Sequence, residues 1–198
     1  GTSSVATNIN LKLDNFNEIY NFIKKEEINL VIVGPEKPLV DGIVDYLKIN
    51  NIKVFGPNQK VSQLEGSKIF TKKICEKYNI PTAKFGIFKN KEDTFKFLKN
   101  RKFPLVIKLD GLAAGKGVYI CEDIESSKKA VLEIFNGKFG KAEQILVEEF
   151  LEGDEMSYFI ISDGLNFKSF NTAQDHKRVG EGDTGNNTGG MGAYAPSN

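Results

Sequence analysis

The sequence contains no tryptophan, a single histidine and only two cysteines in 198 residues. Cys75 and Cys121 lie far apart, with no Cys-x-x-Cys pair and no second histidine beside His176, so their spacing suggests neither a disulfide framework nor a zinc site. That cysteine usage fits a reduced, cytoplasmic compartment. No apolar run approaches the ~18 to 20 residues of a membrane span, and the first residues lack the basic and then apolar blocks of a signal peptide. An excess of one charge is missing too. The 27 Lys and Arg face 26 Asp and Glu, a formal net of +1, which leaves no general attraction to nucleic acid or an anionic membrane. Any phosphate recognition has to be local. What is present is apolar material, 40% of residues with 15 Phe, enough for a chain of this size to bury roughly 70% of its unfolded surface. Length alone predicts roughly one to one and a half domains.

The first half alternates strand and helix patterns. Leu30–Val33 is a short apolar run ended by Gly34-Pro35, and Ile52–Phe55 is another ended by Gly56-Pro57; a helical face of Leu39, Ile43, Val44 and Leu47 lies between them. A strand, helix, strand unit of this length predicts a right-handed crossover and a parallel sheet. Gly1–Leu13 offers no clear opening strand, so the sheet reads as incomplete. Helices are expected over 58–65 and 67–78, a strand over 84–88 and a helix near 91–99. From Pro104 the texture becomes strand-rich, with strands expected over 104–109, 117–121, 144–150 and 155–162 and a helix near 124–135. The fold class is therefore α/β followed by α+β. Residues 171–198 hold six of the 19 glycines and read as mostly loop.

Three local patterns carry chemistry. Val106-Ile107-Lys108 followed by Asp110 to Val118 places a lysine at a strand end before glycines and a second lysine, which can offer N–H groups and ammonium charge to phosphate oxygens. It is not a Walker loop: Gly111 and Gly115 are separated by three residues rather than four, Gly117 replaces the metal-binding hydroxyl, and a strand rather than a helix follows. A flexible hairpin with a solvated lysine is the alternative. In Leu146 to Glu155, an apolar strand that breaks into a short connection can present backbone groups to an adenine edge, with Glu155 toward a ribose; the alternative is a solvated acidic hairpin. In Glu65-Gly66-Ser67-Lys68, Ser67 is a candidate N-cap and Lys68 could reach a cleft shared with Lys108, although an exposed lysine on an ordinary capped helix reads the same way. Gly180 to Gly185 formally matches G-x-G-x-x-G but has no preceding strand and following helix to support a pyrophosphate.

In this order the three patterns resemble the ATP-grasp superfamily, and the strings Gly34–Val40, Gln63–Lys68, Asp110–Val118 and Gln174–Arg178 through Thr188–Tyr194 are similar to the phosphoribosylamine–glycine ligases, from about residue 29 to the end. The resemblance implies an incomplete Rossmann-like domain over 1–66 and an ATP-grasp domain over 67–198, incomplete at its C-terminal end, with a nucleotide-lid subdomain near 104–162. It implies ATP-dependent joining of glycine to 5-phosphoribosylamine through glycyl phosphate, Lys68 and Lys108 being catalytic. ATP would be bound by these two, by Gly111, Leu112, Ala113, Ala114, Gly115, Lys116 and Gly117 of the lid, and by Glu148, Glu149, Phe150, Leu151 and Glu155. The other substrates would meet Gly34, Pro35, Glu36, Asp175, His176, Lys177, Asp183, Asn187, Thr188, Gly189, Gly190, Met191 and Gly192. His176 reads as structural or as a base. The family's magnesium or manganese ligands, a Glu and an Asn, are expected beyond Asn198, so the chain reads as an internal fragment of a protein roughly twice as long, catalytically incomplete by itself. Asn186 stands where the family usually has proline. No nucleic-acid or membrane partner is implied. Another ATP-grasp ligase or carboxylase, or a non-catalytic nucleotide-binding fragment, are the competing readings.

Overall fold

The computed structural model describes residues 1–112, 117–182 and 184–197. Two compact units divide the chain, Gly1–Phe150 and Leu151–Asn198.

In the first unit, helix α1 (Phe16–Lys25) is capped by Asn15, whose side chain accepts from the Glu18 N–H, and leads to the parallel pair β1 (Val31–Ile32) and β2 (Val54–Phe55). The single helix expected between these strands is two, α2 (Glu36–Asp41) and α3 (Ile43–Ile49). Gly42 is the cause: at φ +96 it takes the left-handed conformation that ends α2, and its N–H bonds back to the Pro38 and Leu39 carbonyls. Ile43, Val44 and Leu47 of α3 then pack with Ile23 of α1 into a small core flanked by Val31, Val33 and Val54.

Ser67 separates α4 (Gln59–Gly66) from α5 (Lys68–Lys77). Its extended backbone stops the first helix, its N–H donates to the Gln63 carbonyl, and its hydroxyl accepts from the Phe70 N–H as the cap of the second. Lys68 thereby becomes the first residue of α5.

Four antiparallel strands form the main sheet in the order β3 (Phe85–Phe88), β6 (Ile145–Glu149), β4 (Leu105–Leu109), β5 (Val118–Cys121). Helices α6 (Lys91–Leu98) and α7 (Ile124–Phe135) cover one face. Leu105, Ile107 and Leu109 point to the helices and join Leu98, Val131, Ile134, Ile145 and Val147 in the larger core. A period of two therefore sends Val106 and Lys108 to the opposite face. Glu148 lies directly across from Val106 and shares that face.

The second unit consists of short pieces: the hairpin β7 (Ile160–Ser162) with β8 (Phe167–Ser169), the pair β9 (Gln174–Asp175) with β12 (Ala193–Tyr194), and the hairpin β10 (Arg178–Gly180) with β11 (Thr184–Asn187). The strand expected over 155–162 survives only at 160–162. Ser157 pairs instead with Ala173, one residue out of register with β7–β8, and the slip breaks the ladder. Residues 171–198 carry more strand than their glycine content suggested, because short pieces pair with each other. Gly180 ends β10 and Gly185 lies in β11, so the glycines of this string belong to an antiparallel hairpin and not to a helix N-terminus.

Candidate functional site

A cavity of about 900 Å³ lies within the first unit, on the face of the sheet opposite α6 and α7. Helices, strands and connections build it together. Glu36 and Lys37 come from α2, Leu64 and Glu65 from the end of α4, Lys68, Thr71 and Lys72 from one side of α5, and Lys108, Gly111, Leu112, Val118 and Glu148 from the sheet and the loop after β4; Thr82 completes the wall. Lys68 and Lys72 share the cavity because residues four apart lie on one helical face. Lys108 reaches it because strand alternation turns it away from the core.

Asp110 holds the two halves of this wall in register. Both its carboxylate oxygens accept from the Ser67 hydroxyl at 3.1 Å, and one also accepts from the Ile69 N–H at 3.1 Å. A carboxylate at the first turn of α5 also meets the positive end of the helix dipole. Beside it, the Lys68 Nζ donates to the Gly111 carbonyl at 2.8 Å. Burial pushes the Lys68 pKa down; the charge of Asp110 opposes this and that of Lys108 adds to it. The effect of Lys108 on Lys68 is what a second cation at one cavity produces.

Glu148 is almost fully buried and forms ion pairs with two ammonium groups, one of which, Lys108, also donates a hydrogen bond to it. Its Oε2 lies 3.0 Å from the Lys108 Nζ, and its Oε1 3.4 Å from the Lys72 Nζ. Lys72 donates in addition to the Thr82 hydroxyl at 2.7 Å and the Ala83 carbonyl at 3.1 Å. Glu148 sits inside the central strand β6, paired on both sides, and lines the cavity.

Of the residues singled out by sequence, Glu36, Lys68, Lys108, Gly111, Leu112 and Glu148 line the cavity. Gly34 and Pro35 immediately precede α2. Gly117 closes the loop after β4 at its far end, its carbonyl accepting from the Leu109 N–H at 2.8 Å, whereas Ala113, Ala114, Gly115 and Lys116 lie outside the described residues. Glu149 ends β6, where its carboxylate accepts from the Lys84 N–H at 2.9 Å, and Phe150 follows it; neither lines this cavity. Lys72 and Asp110 were missed. The lysines at positions 68 and 72 of a predicted helix were a usable signal for the first, but nothing local marked the second.

In the second unit, Glu155 forms an ion pair with Lys177. The backbone of Lys177 accepts from the Thr188 N–H at 2.7 Å and its hydroxyl at 3.0 Å. His176 exchanges backbone hydrogen bonds with Gly192 and Met191, at 2.9 and 2.8 Å, and its ring lies 5.5 Å from that of Tyr194. The unit therefore brings Asp175–Lys177 together with Thr188–Gly192, while Gly189 and Gly190 form the connection. Asp183 lies outside the described residues; Asn187 ends β11, and its side chain is likewise outside the description.

Among the described residues, no group of three or more His, Cys, Asp or Glu stands close enough to hold a metal ion. The cavity instead combines two lysines with donors free for a ligand, apolar walls from Leu64, Leu112 and Val118, and hydroxyls. Such a set suits a polyanion attached to an apolar body.

The family model described as phosphoribosylglycinamide synthetase, ATP-grasp (A) domain, matches residues 66–198, and the one described as the N domain of the same synthetase matches residues 1–65. The phosphoribosylamine–glycine ligase of Brucella melitensis is 47% identical over 198 residues, covering 100% of this chain and 46% of that protein. The chain thus spans about half the length of the curated relatives it matches. Among solved structures, the phosphoribosylamine–glycine ligase of Thermotoga maritima superposes with a TM-score of 0.81 at 31% identity, over 100% of this chain and 47% of that one. The biotin carboxylase domain of the Hydrogenobacter thermophilus 2-oxoglutarate carboxylase, solved with MgADP and bicarbonate, gives 0.67 at 21% identity over 86% of this chain and 40% of its own, a likeness of fold.

Proposed function

Because the chain belongs to the phosphoribosylglycinamide synthetase family, we propose that it supplies the nucleotide-holding part of a cytoplasmic ligase that joins glycine to 5-phosphoribosylamine at the expense of ATP. In this reading residues 1–66 are a Rossmann-like domain and 67–198 the greater part of an ATP-grasp domain. The observation that carries it is the meeting of Lys68, Lys108 and the loop after β4 at one cavity.

The chemistry explains why such a site suffices. A glycine carboxylate is a poor acylating agent, since an oxide would have to leave. Its oxygen attacks the γ-phosphorus of ATP, ADP departs, and glycyl phosphate forms. The amine nitrogen of phosphoribosylamine then attacks the carbonyl carbon, and phosphate leaves with the bonding pair. Phosphoryl transfer asks mainly for positioning and charge neutralisation. Lys68 and Lys108 provide ammonium groups for phosphate oxygens, and Leu64, Leu112 and Val118 an apolar surface for the base; water would have to be kept from the acyl phosphate. The Asp175–Lys177 and Thr188–Gly192 segments are assigned to glycine and the amine. A magnesium or manganese ion bound with ATP would add to that charge neutralisation.

The test is ADP release by the whole protein with each carboxylate in turn. The reading expects release that requires both glycine and phosphoribosylamine for turnover. Release driven by bicarbonate and indifferent to glycine would reject it in favour of a carboxylase.

A further inference from the structure

Lys72 is the one buried cation at this cavity to which nothing above gives a role. Its side chain is 10% exposed and that of Glu148 6%, so the pair is held away from water. Lys72 donates to Thr82 and Ala83 and pairs its charge with Glu148, so its ammonium group is engaged within the protein. Lys108 differs: its side chain is 28% exposed and Glu148 is its only acceptor among the described residues, which leaves donors directed at the cavity.

The charges then follow from the geometry. Glu148 alone would neutralise Lys108 and cancel its attraction for phosphate oxygens. With Lys72 on its other oxygen, the cluster of two ammonium groups and one carboxylate keeps a net positive charge, presented at Lys108. Glu148 meanwhile fixes the direction of the Lys108 side chain. We propose that Lys72 is a positioning and charge-setting residue for nucleotide binding: it offsets Glu148, so that Lys108 is both held in place and left positive toward a polyphosphate. This rests on the nucleotide reading above and deepens it.

The experiment measures ATP and adenosine affinities of the whole protein for four forms: unchanged, Lys72→Met, Glu148→Gln and the double variant. Removing one charge in a partly buried site beside a polyphosphate changes affinity by about tenfold. Lys72→Met is expected to weaken ATP by about that factor while leaving adenosine within about twofold, and Glu148→Gln to strengthen ATP relative to adenosine. The double variant, with its net charge restored, returns the ratio to within about threefold of the unchanged protein. A merely structural Lys72 would weaken both ligands alike and could not be rescued by Glu148→Gln. An unaltered ATP-to-adenosine ratio in Lys72→Met overturns the proposal. If Lys72→Met does not fold, the Glu148→Gln ratio decides: an unchanged or lowered preference for ATP overturns it. Absence of ATP binding to the unchanged protein would instead refute the nucleotide reading itself.

Discussion

Replacing Asp110 by alanine should loosen the join between α5 and the end of β4. The carboxylate accepts from the Ser67 hydroxyl and the Ile69 N–H, each at 3.1 Å. The Ile69 N–H is one of the helix donors that lack an intrahelical partner, and leaving such a donor without its acceptor costs about 1 kcal/mol. Loss of a negative charge from the first turn of a helix costs a further ~0.3–1 kcal/mol. The Ser67 hydroxyl still caps Phe70 at 3.0 Å, so its lost bond adds little. Together these predict a destabilisation of about 1.3–2 kcal/mol, read from urea unfolding as a lower midpoint at constant slope. Asp110→Asn, which keeps an acceptor but not the charge, should lose roughly half of that. The same substitution removes the largest influence that raises the Lys68 pKa, so ATP affinity should begin to fall at a lower pH than in the unchanged protein. A loss below about 0.5 kcal/mol for Asp110→Ala would refute this account of the join.

Lys68 has its pKa lowered from 10.5, chiefly by burial. A bound polyphosphate favours the ammonium form, so ATP affinity should decline as pH rises through that lowered value, before an ordinary lysine would titrate, and Lys68→Arg should abolish the decline. For stability the sign is the reverse: the folded chain holds fewer protons than the unfolded one over that interval, so the burial penalty of Lys68 is relieved as pH rises. Gly66→Ala would place a Cβ 2.9 Å from Val40 Cγ2. The ~1 kcal/mol gained in helix propensity should be outweighed by ~1–3 kcal/mol of overpacking, lowering the melting temperature, and Val40→Ala in the same chain should recover most of the loss.

Most of the first unit was legible because its signals are long. The apolar periodicity over 124–135 matches α7 end to end, with Asp123 and Ser126 forming its capping box, and the alternation Leu105, Ile107, Leu109 set which face Lys108 would take. Gly42 was harder to read, since a glycine within a helical pattern costs only about 1 kcal/mol when it stays helical and the pattern continues on both sides. In the second unit, β9 and β12 are two residues each and pair across 17 intervening positions, too little for any period to show. The site divides in the same way. Lys68 and Lys108 sit in patterned strings, whereas the roles of Asp110 and Lys72 come from partners distant in sequence, Ser67 and Glu148.

The most direct measurement is calorimetric titration of ATP into the whole protein with and without Lys108→Ala. Losing a charge-assisted contact to phosphate inside a closed site should cost about 2 kcal/mol, close to thirtyfold in dissociation constant. An unchanged dissociation constant would remove Lys108 from the nucleotide, and with it the arrangement of lysines on which the ligase reading stands.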